Sequence, residues 1–151
     1  MLEFKLIYGL DGYEAAKEIR QKIFCTEQQI PFDKDENDEN AWHIVGYDKD
    51  RLIAAARLYQ IGEGIFKIGR VCVDKDYRKM YIGDTLLRTL EDKAVNLKGW
   101  LIKISSQERS VGFYEKEGYK KVGDSYLEAD MPHFMLEKDL TKPYKRCECC
   151  K

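Results

Sequence analysis

The chain of 151 residues is long enough for one domain with its own core and short for two. Hydrophobic residues make up 44% and aromatic residues 12% of it, which excludes a chain that is disordered throughout. Its 26 basic and 27 acidic residues give a formal charge of −1, whereas proteins that bind nucleic acid or membrane surfaces usually carry a basic excess. No apolar run approaches about 18 residues and no signal-peptide core is present, so we expect a cytoplasmic protein without nucleic-acid or membrane partners.

The five cysteines do not predict a disulfide framework, because their number is odd. Cys25 and Cys72 lie in apolar segments, where we expect buried thiols. Cys147, Cys149 and Cys150 crowd the end of the chain beside basic residues that favour thiolates. No second cluster of zinc ligands accompanies them, so the sequence predicts an incidental tail and no metal site. A tail that acts as an interaction segment is the alternative.

In chain order, the sequence first predicts a strand, a helix and an acidic segment. The strand covers Phe4–Tyr8. The helix has Asp11 as its N-cap, apolar residues spaced three and four apart, and an end near Phe24 or Cys25. The acidic segment, Asp33–Asn40, is typical of a solvated loop, and the alternative is a negative rim that attracts a cationic acceptor.

Six strands and two helices are predicted after the acidic segment. Short turn-rich links join the first three of these strands, which is typical of an antiparallel meander. A leucine stripe between Gly83 and Gly99 predicts the second helix, and Ser110 caps a short third helix that ends at Gly118. An irregular segment precedes the last strand. The predicted strands are His43–Tyr47, Leu52–Tyr59, Ile65–Val73, Trp100–Ser105, Tyr119–Val122 and Phe134–Leu140.

This order of elements predicts one α+β domain, residues 1–141, followed by a polar tail, residues 142–151. The most informative junction runs from the strand that ends at Val73 to the helix after Gly83. Backbone N–H groups at a helix start lack intrahelical partners and lie at the positive end of the helix dipole. Arg78 and Lys79 add charge, and Gly83 lets the backbone approach a phosphate. The loop therefore predicts an anion site suited to a pyrophosphate, although such a loop is common by itself.

A later segment, Gly112–Tyr119, places Phe113 and Tyr114 on a short helix before a strand. Together with the loop Arg78-x-x-Tyr81-x-Gly83, it resembles the GNAT acetyltransferase superfamily. That family pairs an Arg/Gln-x-x-Gly-x-Gly/Ala loop with a later Phe-Tyr-x-x-x-Gly-Phe/Tyr segment, and the resemblance covers residues 2–140. Further matches resemble its ElaA-type branch: Phe24-x-x-Glu27-Gln28-x-x-Pro31, His43 opening a strand, Arg57-Leu58, Lys67-Ile68-Gly69-Arg70-Val71, Gln107 and Met131-Pro132-His133.

The resemblance implies a single-domain α+β GNAT fold with a mixed, mostly antiparallel, twisted sheet flanked by helices. Two neighbouring parallel strands, Ile65–Val73 and Trp100–Ser105, are expected to splay apart and hold acetyl-CoA as co-substrate. Its pantetheine arm would pair with the backbone of the first of these strands, and its pyrophosphate would lie on the loop amides. The implied cofactor-binding residues are Val71, Cys72, Val73, Arg78, Lys79, Met80, Tyr81, Ile82, Gly83, Gln107, Phe113 and Tyr114.

The resemblance also implies that an acetyl group passes by direct attack to a primary amine of a small molecule or a protein. Tyr114 would protonate the departing thiolate, since the pKa of a phenol, about 10, lies close to that of a thiol, about 8.5. Glu27, His43 and His133 are the candidate bases for the acceptor ammonium, and each has a purely structural role as its alternative. Direct attack leaves no nucleophilic role for Cys72.

One residue departs from the family pattern, because Tyr81 stands where the first loop glycine is expected. Either the loop tolerates the tyrosine in an ordinary conformation, or the cofactor binds less tightly, or the ring packs on the cofactor. The alternative function is therefore a non-catalytic acetyl-CoA-binding or sensing module of the same fold. The sequence leaves open the acceptor and the choice between a monomer and a homodimer.

Overall fold

The computed structural model describes residues 1–30 and 33–142. Pro31 and the three cysteines of the predicted tail lie outside these residues. The described elements follow the predicted order, β-α-β-β-β-α-β-α-β-β. The strands are β1 (Leu2–Tyr8), β2 (Trp42–Asp48), β3 (Arg51–Gly62), β4 (Ile65–Val73), β5 (Leu101–Gln107), β6 (Lys120–Glu128) and β7 (Met131–Asp139), and the helices are α1 (Leu10–Arg20), α2 (Ile82–Asn96) and α3 (Val111–Lys116).

The strands form one mixed sheet in the order β1-β2-β3-β4-β5-β7-β6. All neighbouring strands are antiparallel except β4 and β5, which are parallel. That parallel pairing is short, since it joins Ile65–Ile68 only to Leu101–Ile104, and both strands continue beyond it. The α+β fold with a splayed parallel strand pair is thereby confirmed.

The apolar core occupies both faces of the sheet. Leucines of α2 pack against aliphatic residues of β3, β4 and β5 on one face, and Leu86, Leu87 and Leu90 are fully buried there. A smaller cluster on the opposite face joins α1 to β2, β3 and β4. None of the described helices is both long enough and apolar enough to cross a membrane.

The first helix changes its geometry before it ends. The α-helical part stops at Arg20, and Gln21–Glu27 continues as a π-helix, a form that is often found near functional sites. The ammonium of Lys22 lies 2.6 Å from the carboxylate of Asp74, which follows β4, and thus ties this segment to the sheet. The π-helix carries the end of α1 to the place where β4 and β5 separate.

Two predicted helix caps are wrong. The first helix begins at Leu10, and no side chain caps it, so Asp11 lies in its first turn, where a negative charge favours the dipole. Ser110 likewise makes no capping hydrogen bond to α3.

The segment predicted to be irregular is a β-hairpin. Strand β6 continues to Glu128 and β7 begins at Met131, so only Ala129 and Asp130 form the turn. Both turn residues have positive φ angles, 51° and 60°, as a tight two-residue hairpin turn requires. The hairpin brings Glu128 and His133 beside β5.

Candidate active site

A cavity of about 380 Å³ lies where β4 and β5 separate. Its walls come from the end of the π-helix, the acidic segment, β3, β4, β5, α3 and the β6–β7 hairpin. Four of the predicted site residues line it: Val71, Gln107, Tyr114 and His133. The structure therefore brings together residues that are far apart in the sequence.

Strand β4 is bulged at the cavity. Its pairing with β3 shifts between Gly69 and Cys72, and Arg70 at the bulge has a positive φ of 51°. Beyond Ile68 the backbone of β4 has no pairing with β5, so its N–H and C=O groups on that side are available to an extended ligand. This arrangement fits the predicted role of Val71 and Val73.

Cys72 lies on the α1 face of β4 and is buried in the smaller core cluster. Burial raises the pKa of its thiol to about 12, so the thiol stays protonated at neutral pH. This agrees with the absence of a predicted nucleophilic role, and it leaves Cys72 to contribute through its backbone.

The loop before α2 has an unusual backbone. Tyr81 precedes the helix with φ 61° and ψ 20°, the left-handed conformation that glycine adopts without strain. Of the three alternatives that the sequence left open for Tyr81, the ordinary conformation is therefore excluded. Lys79 also has a positive φ, 70°, and the side chains of Met80 and Tyr81 are exposed. Ile82 is buried and anchors the start of the helix.

Gly83 is closely packed against the half-exposed ring of Phe113. A Cβ atom at this position would lie 2.9 Å from Cζ of Phe113, closer than side chains tolerate. Phe113 in turn contacts Tyr114 edge to face, with ring centroids 5.1 Å apart. Gly83 thus lets α2 meet α3, which is a second reason for a glycine here besides access to a phosphate.

Arg78 and Glu27 contact each other. The Nη2 of Arg78 lies 2.9 Å from Oε1 of Glu27, and its Nε donates to the carbonyl of Val73. A candidate phosphate ligand and a candidate base are therefore ion-paired. Glu27 is not among the residues that line the cavity.

Tyr114 reaches the cavity from α3. The residue is 7% exposed, and its hydroxyl makes no hydrogen bond to the described residues. Burial raises the pKa of Tyr114 well above that of a free phenol, so it remains a proton donor at neutral pH. A thiolate needs a protonated donor, and Tyr114 is one, but the raised pKa also widens the gap to the pKa of a thiol, about 8.5, on which the predicted role depends.

Gln107 closes the cavity toward the π-helix. Its Nε2 donates to Oε1 of Gln28 at 2.9 Å, and both residues line the cavity. The bond joins the segment after α1 to the end of β5, across the gap between the strands.

His43 does not belong to the cavity. It is buried, and its Nε2 lies 3.0 Å from the carbonyl of Asp38. Burial lowers the pKa of His43, so the ring is held neutral inside the protein. The prediction of His43 as a base is therefore replaced by a role in the core.

His133 lines the cavity and has a defined tautomer. Its Nδ1 lies 2.8 Å from the carbonyl of Met131, and since a carbonyl only accepts, Nδ1 carries the proton. Nε2 is then the basic nitrogen, and it lies 3.5 Å from Oε2 of Glu128. The carbonyl of Met131 orients the ring, and the carboxylate of Glu128 pairs with Nε2 once that nitrogen has gained a proton.

Three residues that the sequence did not single out complete this wall. Ser105 on β5 is hydrogen-bonded to the hydroxyl of Tyr126 and donates to Oε1 of Glu128 at 3.2 Å. Glu128 therefore contacts both His133 and Ser105. The sequence carried no clear signal for Glu128, because the two-residue turn that follows it contains no glycine.

The acidic segment is not a solvated loop. Asp38 is fully buried, Asp33 is nearly so, and both accept hydrogen bonds from Arg20 of α1 at 2.7 Å. Burial works to raise the pKa of Asp38, but hydrogen bonds from Arg20 and the charge of Arg57 outweigh it and hold that pKa far below its usual value. The prediction of a solvated segment is wrong for these residues.

Two further arginines complete the network. Arg57 of β3 donates twice to Asp35 and once to Asp38, and Arg70 of β4 contacts Asp35 at 3.2 Å. Three arginines thus face three aspartates, and their formal charges cancel. The alternative of a negative rim is therefore not supported at these aspartates, because their charges are neutralised by the arginines.

Both the sequence and the fold are similar to those of known proteins. The family model described as an acetyltransferase (GNAT) domain matches residues 12–140. The uncharacterized N-acetyltransferase YjcF of Bacillus subtilis is 31% identical over 124 residues, which cover 80% of this chain and 88% of YjcF. Protein ElaA of Escherichia coli is 26% identical over 132 residues, which cover 83% of this chain and 86% of ElaA.

Solved structures show the same fold. The crystal structure of Escherichia coli ElaA matches with a TM-score of 0.82 and 25% identity, over 92% of this chain and 100% of that one. The structure of an acyl-CoA N-acyltransferase from Pseudomonas aeruginosa matches with a TM-score of 0.80 and 25% identity, over 91% of this chain and 99% of that one.

Proposed function

Since the chain belongs to the GNAT acetyltransferase family, whose members use an acyl-CoA donor and an amine acceptor, and is related to ElaA, we propose that it moves the acetyl group of acetyl-CoA to a primary amine. The observation that carries this proposal is the cavity between β4 and β5, into which Tyr114 and His133 both reach. Tyr114 can donate a proton, and His133 can accept one.

The residues around the separated strands fit acetyl-CoA. The backbone of β4 at Val71 and Val73 would pair with the pantetheine arm, and the loop amides before α2 would bind the pyrophosphate together with Arg78 and Lys79. The bound thioester supplies an activated acetyl group, and its transfer forms an N–C bond as the C–S bond breaks. A backbone N–H near the bulge, at Val71 or Cys72, stabilises negative charge that develops on the carbonyl oxygen.

His133 is the base in this proposal. An amine attacks only after its ammonium loses a proton, and Nε2 of His133 is the unprotonated nitrogen that can accept it. Glu128 stabilises the imidazolium that results, because its carboxylate lies 3.5 Å from Nε2. Glu27 is a weaker candidate, since its carboxylate is already paired with Arg78.

Tyr114 is the acid in this proposal. Its buried hydroxyl is held in the protonated form and has no competing hydrogen bond among the described residues. It gives its proton to the departing thiolate and recovers one from water after the product leaves.

An assay of CoA release over a panel of primary amines tests the proposal. Transfer to at least one amine, with mass-spectrometric detection of its acetyl derivative, is the expected result. Tight binding of acetyl-CoA without transfer to any amine would contradict it. That outcome would favour the non-catalytic binding module, to which the strained Tyr81 in the cofactor loop points.

A further inference from the structure

Besides His133 and the residues of the neutral arginine–aspartate network, two charged side chains line the cavity. Lys67 of β4 makes no ion pair or hydrogen bond with the described residues, although it lines the cavity. Glu128 of the β6–β7 hairpin is the other, and it contacts only Ser105 and His133 among the described residues. The cavity therefore holds one uncompensated cation and one carboxylate.

The register of the strands fixes their relative positions. Lys67 pairs with Lys103 in the parallel ladder, and Ser105 lies two residues further along β5 on the same face. With about 4.8 Å between strands and about 6.6 Å along two residues, the Cα atoms of Lys67 and Ser105 lie about 8 Å apart. Glu128 reaches Ser105, so its carboxylate and the Lys67 ammonium face the same space from different sides.

A second observation marks the Lys67 side as a place for an anion. Arg57, which is 2% exposed, has an Nε that is buried and has no hydrogen-bond partner among the described residues. A Cβ atom at Gly69 would lie 4.0 Å from this Nε and meet nothing closer, so the cavity is open there.

We propose that the acceptor is an amino acid, whose carboxylate binds beside Lys67 and whose amine lies beside Glu128 and His133. This inference rests on the proposed function and names its substrate class. An acceptor ammonium bound to Glu128 would lie next to Nε2 of His133. Nε2 is the nitrogen that takes the proton from this ammonium in the proposed reaction. A polyamine would instead place a second positive charge beside the ammonium of Lys67, where the two would repel each other. Lys67 therefore favours a zwitterionic amino acid over a polyamine.

The test compares amines that differ only in their carboxyl group. Glycine, β-alanine, 4-aminobutanoate, 6-aminohexanoate and L-lysine are each assayed against the corresponding carboxamide. A charge-assisted contact predicts a kcat/KM roughly ten- to hundred-fold higher for the carboxylate at the best spacing. In Lys67→Met, the ratio of kcat/KM for the carboxylate to kcat/KM for the amide should fall to about one. Lys103→Met is the control, because Lys103 is already paired with Glu137, and it should keep the wild-type ratio.

Equal rates for carboxylates and amides, or a ratio that Lys67→Met does not change, would overturn the inference. If no amine is acetylated, the proposed function fails, and calorimetric titration of the same amino acids into the protein with CoA decides the inference separately. Binding that Lys67→Met abolishes supports the zwitterion site, and the lack of any binding overturns it.

Discussion

The guanidinium of Arg78 lies 2.9 Å from the carboxylate of Glu27, so the π-helix after α1 is joined to the loop before α2. Each partner was expected to act alone, one on a phosphate and the other on an ammonium. In the proposed function, Arg78 therefore exchanges the carboxylate of Glu27 for a phosphate when acetyl-CoA binds.

Glu27→Gln should leave kcat within about threefold of wild type. It should also tighten acetyl-CoA binding by up to about fivefold, because an exposed ion pair is worth at most about 1 kcal/mol to Arg78. Calorimetry and steady-state kinetics measure the two effects. A fall in kcat of a hundredfold or more would restore Glu27 as the base.

His133→Gln should lower kcat/KM by about 10²–10⁴, because the proposed base is lost. Glu128→Gln, which removes the charge beside the ring and keeps its shape, should cost less than His133→Gln. A wild-type kcat/KM in His133→Gln would remove the histidine from the mechanism.

Tyr114→Phe should reduce kcat by about 10²–10⁴ and leave the dissociation constant of acetyl-CoA near wild type. Because burial raises the pKa of Tyr114, the loss should be the same at every pH from about 6 to 9. Tyr119→Phe is the matched control, since that buried hydroxyl bonds to Glu91 instead. Equal kcat values in both variants would show that Tyr114 only packs.

Asp38→Asn should reduce the free energy of unfolding by about 3–5 kcal/mol, because it removes the fully buried carboxylate between Arg20 and Arg57 and leaves the network with an excess of positive charge. Urea denaturation measures this, and the exposed Glu36→Gln is the control, with a change of at most about 0.5 kcal/mol.

The pKa of Asp38 is lowered in the folded state, so its contribution is present above the unfolded pKa, about 3.9, and is lost as the pH falls below it. Asp38→Asn should therefore show a shallower loss of stability below about pH 4. An unchanged acid slope would contradict the assignment.

Tyr81→Gly should raise the free energy of unfolding by about 0.5–1 kcal/mol, since relief of the left-handed strain exceeds the added freedom of the unfolded chain. Tyr81→Ala keeps the strain and removes the ring. If only Tyr81→Gly changes the affinity for acetyl-CoA, the backbone conformation at this position, and not the ring, determines that affinity. Weaker binding in both variants would show that the ring contacts the cofactor.

The order of elements could be predicted from the sequence because it depends on local periodicity and turns. The neutralised acidic segment could not, since Arg20, Arg57 and Arg70 come from three separate elements that meet only in the folded chain. Glu128 was missed for a different reason. Its hairpin turns on Ala129 and Asp130, which adopt positive φ angles without the glycine that usually marks such a turn.

The arginine–aspartate network also constrains how this chain can diverge. Its three arginines and three aspartates come from different elements and balance one another, so replacing any one of them by a neutral residue leaves a net charge in a largely buried place. Neutral drift through such intermediates is costly, and compensating replacements must arrive together. We therefore expect descendants of this chain to inherit the six positions as a unit or to lose them as a unit.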